Sequence, residues 1–253
     1  MASEPKDHSS IDAFLHRVEE SLDDNRSADV KKRHAKGYRT ARENLEHLVD
    51  QGSFVEYGQF AVAAQRNRRS AEELKSKTAA DGVITGLAKI NAEFFGARKS
   101  QAVVIVNDYM SLAGTQGFFH HAKIDRMLQV ATEKSLPVVM YTEGGGGRPG
   151  DTDVNTQIAG LNITTWLVWS QLAGVVPRIA VNNGYCFAGN AALYGGADIC
   201  IATQSSCIGM AGPAMIEGGG LGTFAPTEIG PVEVNRKNGV IDIVAADEIE
   251  ATA

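Results

Sequence analysis

Cysteine is scarce in this sequence: Cys186, Cys200 and Cys207 are the only three among 253 residues, and no CxxC pair occurs. Each lies in or beside an apolar run that reads as core. Neither a disulfide framework nor a zinc site is therefore expected, and no metal is expected in this chain; a reducing compartment suits it. An apolar leader is also missing from the start, Met-Ala-Ser-Glu-Pro-Lys-Asp-His, and no uninterrupted apolar run reaches membrane length. The sequence reads as cytoplasmic, without a membrane partner.

Basic residues thin out along the chain. Residues 1–100 carry 17 Lys and Arg against 16 Asp and Glu, whereas residues 101–253 carry 7 against 14. The net charge is -6, and no nucleic-acid-binding motif is present, so nucleic acid is excluded as a partner. Two clusters hold much of the basic excess: Lys31, Lys32, Arg33, Lys36, Arg39 and Arg42, and then Arg66, Arg68 and Arg69. They read as solvated faces; the sharper alternative is a contact with the phosphates of a small ligand.

Several site signatures are absent as well. Gly144-Gly145-Gly146-Gly147-Arg148 lacks the Gly-Lys-Ser/Thr ending of a P-loop, and no GxGxxG opens a first helix. Ser205 and Ser206 lack a GxSxG setting. His120 and His121 are adjacent, so on a helix they point in different directions and do not share a metal; Asp125 at i+4 is placed to orient His121, with an ordinary polar surface as the plainer reading.

What the chain does contain is a regular alternation. Apolar spacing at Ile11, Phe14, Leu15, Val18 and Leu22 predicts a helix, and Ala41 to Val49 predicts another that packs on the surface of the body. The charged stretch from Arg66 to Thr78 reads as a loop. Val83 to Ile90, Glu93 to Ala97 and Ala102 to Val106 read as strands, with a tight turn at Asn91-Ala92. Helical patterns at 117–134, 157–173 and 189–193 then alternate with extended runs at 137–141, 178–181 and 199–202. This is an α/β pattern. At 253 residues, one large domain has enough material for a substantial core.

Glycines follow each extended run: Gly114 and Gly117, Gly144 to Gly147, Gly184 and Gly189, Gly209 and Gly212. Ligands in α/β folds bind beyond the carboxyl ends of strands, so these turns are expected to line one crevice. The turn at Ala188-Gly189 opens a helix, and small residues there leave first-turn N–H groups accessible to a negative oxygen. It is a candidate oxyanion hole. Tyr185 and Phe187 read as packing residues.

Taken in order, these segments carry a resemblance. Ala-Arg-Glu-Asn-Leu-Glu-His-Leu-Val-Asp at 41–50 is followed by Gly-Ser-Phe-Val-Glu at 52–56, Asp-Gly-Val-Ile-Thr-Gly at 81–86 and Lys123-Ile124. Then come Gly145-Gly146-Gly147-Arg148, for Gly-Gly-Ala-Arg, and Gly184-Tyr185-Cys186-Phe187-Ala188-Gly189, for Gly-Pro-Cys-Ala-Gly-Gly. From about residue 30 to its end the chain resembles the N-terminal half of the carboxyltransferase component of biotin-dependent acyl-CoA carboxylases.

The resemblance implies a crotonase-like fold, a spiral of ββα units, at 31–253, behind a polar, partly helical extension at 1–30. It implies transfer of a carboxyl group from carboxybiotin to the α-carbon of an acyl-CoA through a thioester enolate, with biotin carried by a partner protein. The backbone of Ala188 and Gly189 would hold the thioester oxygen. Gly145, Gly146, Gly147, Gly184 and Phe187 would line the substrate pocket, and Lys36, Arg39 and Arg42 would meet CoA phosphates. Expected partners are a C-terminal carboxyltransferase half and the biotin carboxylase and biotin carboxyl carrier components, in an oligomer. The sequence ends near where the first half ends in that family, so the site is expected to be incomplete in this chain alone. Two alternatives stand beside this reading: a CoA hydratase or hydrolase of the same fold, using Glu143 or Glu217 as acid or base, and a non-catalytic assembly subunit.

Overall fold

The computed structural model describes residues 9–154 and 163–253. Its centre is a seven-stranded sheet in the order β1-β2-β3-β4-β5-β7-β9, formed by Val55–Tyr57, Val83–Lys89, Gln101–Asn107, Val138–Tyr141, Arg178–Asn182, Ile199–Thr203 and Ile243–Ala245. β1, β2 and β3 pair antiparallel, and every later neighbour pairs parallel. A second, two-stranded sheet joins β6 (Tyr185–Phe187) to β8 (Cys207–Gly209). Among the described residues no helix is long and apolar enough to cross a membrane.

The continuous apolar character of β3 has a direct cause. Alternate side chains point to opposite faces of a strand, and here both faces are covered. Val103 and Ile105 pack with Ile124, Met127, Leu128 and Trp169, while Val104 and Val106 pack on the other side with Ala41, Leu45 and Ile84. The Ala41–Leu48 helix thus contributes to the core rather than resting on the surface. Its Asn44 is buried and bonds the Glu248 carboxylate at 2.8 Å.

Two expected elements differ. The stretch 66–78, read as a loop, contains a helix at Ala71–Lys77. Ser70 and Glu73 form a reciprocal capping box there, and Leu74 anchors the helix in the core at 1% exposure. The strand expected at 93–97 is a short helix, Ala92–Phe95. Asn91 enters the left-handed region at φ 58°, and the Asp50 carboxylate accepts the N–H groups of Asn91 and Ala92, each at 2.9 Å. That contact turns the chain into a helix before a strand can form. The helical pattern read at 157–173 appears as Thr165–Gln171, with 157–162 lying outside the described residues. β6 and β8 are too short to show a period in sequence.

Candidate functional site

The glycine turns converge because two distant charged residues meet. Arg148, following the glycine run, reaches Asp81 at 2.5 Å and donates to the Thr115 carbonyl at 2.6 Å. Asp81 also accepts the His120 N–H at 2.7 Å, and Asp151 accepts the Phe118 N–H at 2.9 Å. Two carboxylates from outside the Phe118–Lys134 helix thereby satisfy its first turn, which Gly117 lacks a side chain to cap. Gln116 closes the arrangement: its N–H donates to the Gly146 carbonyl and its carbonyl accepts the Arg148 N–H, both at 2.8 Å.

On the other side, Gly144 bridges to β6, donating to the Tyr185 carbonyl at 2.7 Å and accepting the Phe187 N–H at 2.9 Å. Gly146 adopts φ +85° and packs so closely on Ala188 that an added methyl would lie 2.7 Å from the Ala188 Cβ. The Gly189–Gly195 helix begins directly after this contact.

Ala188 is the strained residue of the site, at φ 52° and ψ -118° without being glycine. Such backbone costs about 1–3 kcal/mol and persists where its surroundings enforce it. Its N–H donates to the Gly209 carbonyl at 3.0 Å. The expected pair of donors is therefore corrected: the Ala188 amide is already engaged by β8, and among the described residues only the Gly189 N–H of the pair has no protein acceptor.

Gly189 and Gly147 border a cavity of about 700 Å³, walled also by Gln116, His121, Trp166 and Arg148. The Gln116 side chain is 3% exposed, and both its amide atoms are buried without a hydrogen-bond partner, as is Trp166 Nε1. A buried polar group left unpaired costs about 1–3 kcal/mol. His121 is buried rather than on a polar surface. Asp125 bonds the Thr165 hydroxyl, which lies 2.9 Å from His121 Nδ1. A carboxylate only accepts, so the hydroxyl proton goes to Asp125 and the hydroxyl oxygen accepts from Nδ1–H. Nε2 remains as an acceptor. Burial pushes His121 down to about 4, with the nearby Asp125 opposing and Arg148 assisting.

The other expected site residues lie elsewhere. Gly145 packs on Thr115, and Gly146 sits behind Ala188. Gly184 abuts the Glu143 carboxylate. Phe187 stacks on Tyr185 at 5.9 Å between ring centroids, under Gly209 and Gly212; its ring belongs to packing and not to the cavity wall. Of the three basic residues, Lys36 borders a separate cavity of about 180 Å³ with Lys32, Tyr38, Tyr109 and Tyr185. Arg42 is held by Glu56 at 3.0 Å, and Arg39 by the Glu43 carbonyl at 2.7 Å. The three are not brought together.

Glu143 accepts both terminal nitrogens of Arg33, at 2.9 and 2.5 Å, in a buried pair. Arg33 also stacks over Tyr38 at 4.6 Å. Burial pushes the Glu143 carboxyl up and Arg33 opposes it. Both oxygens are occupied, and Glu143 borders the Lys36 cavity and not the large one. Glu217 stands on the exposed Pro213–Gly218 helix. Gln116, His121 and Trp166 had no expected role at this site. Only the Asp125 spacing hinted at one, and its link to His121 runs through Thr165.

A family model described as a carboxyl transferase domain matches residues 32–253. The propionyl-CoA carboxylase beta chain of Roseobacter denitrificans is 27% identical over 246 residues, covering 92% of this chain and 45% of that protein. A solved single-chain, multi-domain long-chain acyl-CoA carboxylase is 52% identical with a TM-score of 0.92, covering 100% of this chain and 24% of that one. The transcarboxylase 12S structure, with methylmalonyl-CoA bound, superposes at a TM-score of 0.79 and 24% identity over 100% of this chain and 46% of that one; this likeness concerns the fold, which is crotonase-like. The chain spans less than half the length of these relatives.

Proposed function

Because the chain belongs to the carboxyl transferase domain family, we propose that it is the acyl-CoA-binding half of a biotin-dependent carboxyltransferase. The observation that carries this is the free Gly189 N–H at the edge of the large cavity. As the α-proton leaves an acyl-CoA, the thioester oxygen gains charge, and a fixed N–H binds the enolate better than the neutral carbonyl. One such donor is worth about 3 kcal/mol of transition-state stabilisation.

Carboxybiotin, brought by a partner protein, supplies the carboxyl group; no residue of this chain is assigned to hold it. The chain's own part is to bind the thioester, orient its α-carbon and hold the oxygen. A C-terminal half completes the site in an oligomer. Likeness to a long-chain acyl-CoA carboxylase, together with Val154, Ile163 and Trp166 in the cavity wall, supports a long aliphatic acyl group.

The hydratase or hydrolase alternative needs a free carboxylate beside the hole, and the salt bridge of Glu143 with Arg33 argues against it. The test is to combine the chain with carboxybiotin and palmitoyl-CoA, with and without a C-terminal carboxyltransferase half. Transfer is expected only with the second half, and its absence in every combination overturns the reading. Replacing the Gly189 amide by an ester removes the N–H without adding a side chain, and should lower transfer by about 100-fold or more. Hydration or hydrolysis by the isolated chain would favour the alternative chemistry. Failure to bind acyl-CoA in calorimetry would leave an assembly role.

A further inference from the structure

The two adjacent histidines part company in the folded chain. His120 Nε2 is sealed in the interior. His121 lines the large cavity instead, and its Nε2 is not sealed off and has no hydrogen-bond partner among the described residues. The other ring nitrogen is fixed from behind. Asp125 takes the hydroxyl protons of both Thr164, at 3.0 Å, and Thr165, so Thr165 Oγ1 accepts from Nδ1–H. One tautomer is thereby assigned, with a bare lone pair on Nε2. Since His121 is held at about 4, that lone pair stays unprotonated at neutral pH. So weak a base does not suit abstraction of the α-proton. It suits a ligand group that donates a hydrogen bond, and a leucine or phenylalanine would line a purely aliphatic path without leaving an acceptor unpaired.

Two contacts place this nitrogen beside the thioester. An added methyl at Gly189 would lie 3.2 Å from Trp166 Cζ2, and the Trp166 and His121 rings stand 5.1 Å apart between centroids. All three residues border the same cavity. With the thioester oxygen at the Gly189 N–H, the first carbons of the acyl chain pass the Trp166 indole and come to His121. C2 is the reacting carbon, so C3 is the first position free to carry a further substituent. We propose that His121 sets substrate choice: its Nε2 accepts a hydrogen bond from a hydroxyl group on C3 of a long-chain acyl-CoA. This rests on the acyl-CoA reading given above, and it makes 3-hydroxyacyl-CoA thioesters the preferred members of that class. A plain methylene at C3 leaves Nε2 shielded from water and unpaired, and a substituent without a proton to give gains nothing there.

The test is calorimetry on the full chain with palmitoyl-CoA, the two enantiomers of 3-hydroxypalmitoyl-CoA, and 3-fluoropalmitoyl-CoA. One hydroxylated enantiomer should bind about 5-fold more tightly than palmitoyl-CoA, the gain of one neutral hydrogen bond. The fluorinated chain should show no such gain. His121→Phe keeps a ring against Trp166 and removes the acceptor, and should abolish the difference between the hydroxylated and plain chains. No gain in the unaltered protein, or a gain that survives His121→Phe, overturns the proposal while leaving the acyl-CoA reading intact. If none of the thioesters binds, that reading falls and the proposal with it. A measurement free of substitutions is the 15N spectrum of the histidine-labelled chain. The His121 Nε2 signal should move upfield with 3-hydroxypalmitoyl-CoA relative to palmitoyl-CoA, and the same position with both overturns the proposal.

Discussion

The Asn190 side chain accepts the Gly146 N–H at 3.0 Å while its own amide nitrogen donates to the Gly114 carbonyl at 3.3 Å. One fully buried residue in the first turn of the Gly189–Gly195 helix thus holds two glycine turns from earlier in the chain. Asn190→Ala leaves the Gly146 N–H unpaired in the interior. A loss of about 1–3 kcal/mol is expected, read from urea denaturation, together with weaker acyl-CoA binding in calorimetry.

Ala188 carries a side chain in a conformation that suits glycine. Relief of strain in Ala188→Gly competes with the greater freedom of glycine in the unfolded chain. A net gain of about 1 kcal/mol is expected, since the strain is the larger effect. Ala188→Val, whose branched side chain tolerates positive φ poorly, should lose more than that. Denaturant midpoints with unchanged slopes would check both.

Arg33 and Glu143 are buried together, so removing one partner strands a charge. Glu143→Leu should destabilise the fold by about 3–5 kcal/mol, and the pair Arg33→Met with Glu143→Leu should recover most of it. A double-mutant cycle measures this coupling. If Glu143 were instead an acid or base, Glu143→Leu would abolish catalysis in a manner that the second substitution could not repair.

His121 is held at about 4 against an ordinary value of 6.5, and burial also lowers His120 well below its ordinary value. Above pH 6.5 both are neutral in either state and contribute no pH dependence. As pH falls from 6.5 towards 4, the unfolded chain takes up protons that the native chain refuses, so stability falls. For His121 alone the loss by pH 4 is on the order of 3 kcal/mol. His121→Gln should therefore flatten the stability curve between pH 6.5 and 4 and leave its slope unchanged above. Parallel curves across the whole acid range would refute this assignment.

Much of the scaffold was legible. β3, β4 and β5 are apolar runs because helices or loops cover both faces, and the Phe118–Lys134 helix shows its period plainly. Of the glycines expected to line one crevice, Gly147 and Gly189 border the large cavity, whereas Gly114 is only tied to the neighbouring turn through the Asn190 side chain. Elsewhere local reading failed for local reasons. Ser70 and Glu73 start a helix in a stretch whose charge suggested a loop, and Asp50 redirects residues 91–95 from forty positions away.

The amino-acid sequence by itself determined the alternation of strands and helices, the glycine turns and the ordered motifs that mark the family, because these depend on neighbours a few residues apart. Tertiary structure decided which groups remain available to a ligand. Whether Ala188 or Gly189 keeps a free N–H depends on Gly209 arriving to accept one of them, and whether Gln116 has a partner depends on everything packed around it. Hydrogen-bond satisfaction is a property of the whole assembled interior, so the free donor at Gly189 and the unpaired amide at Gln116 emerge only when the chain has closed around them.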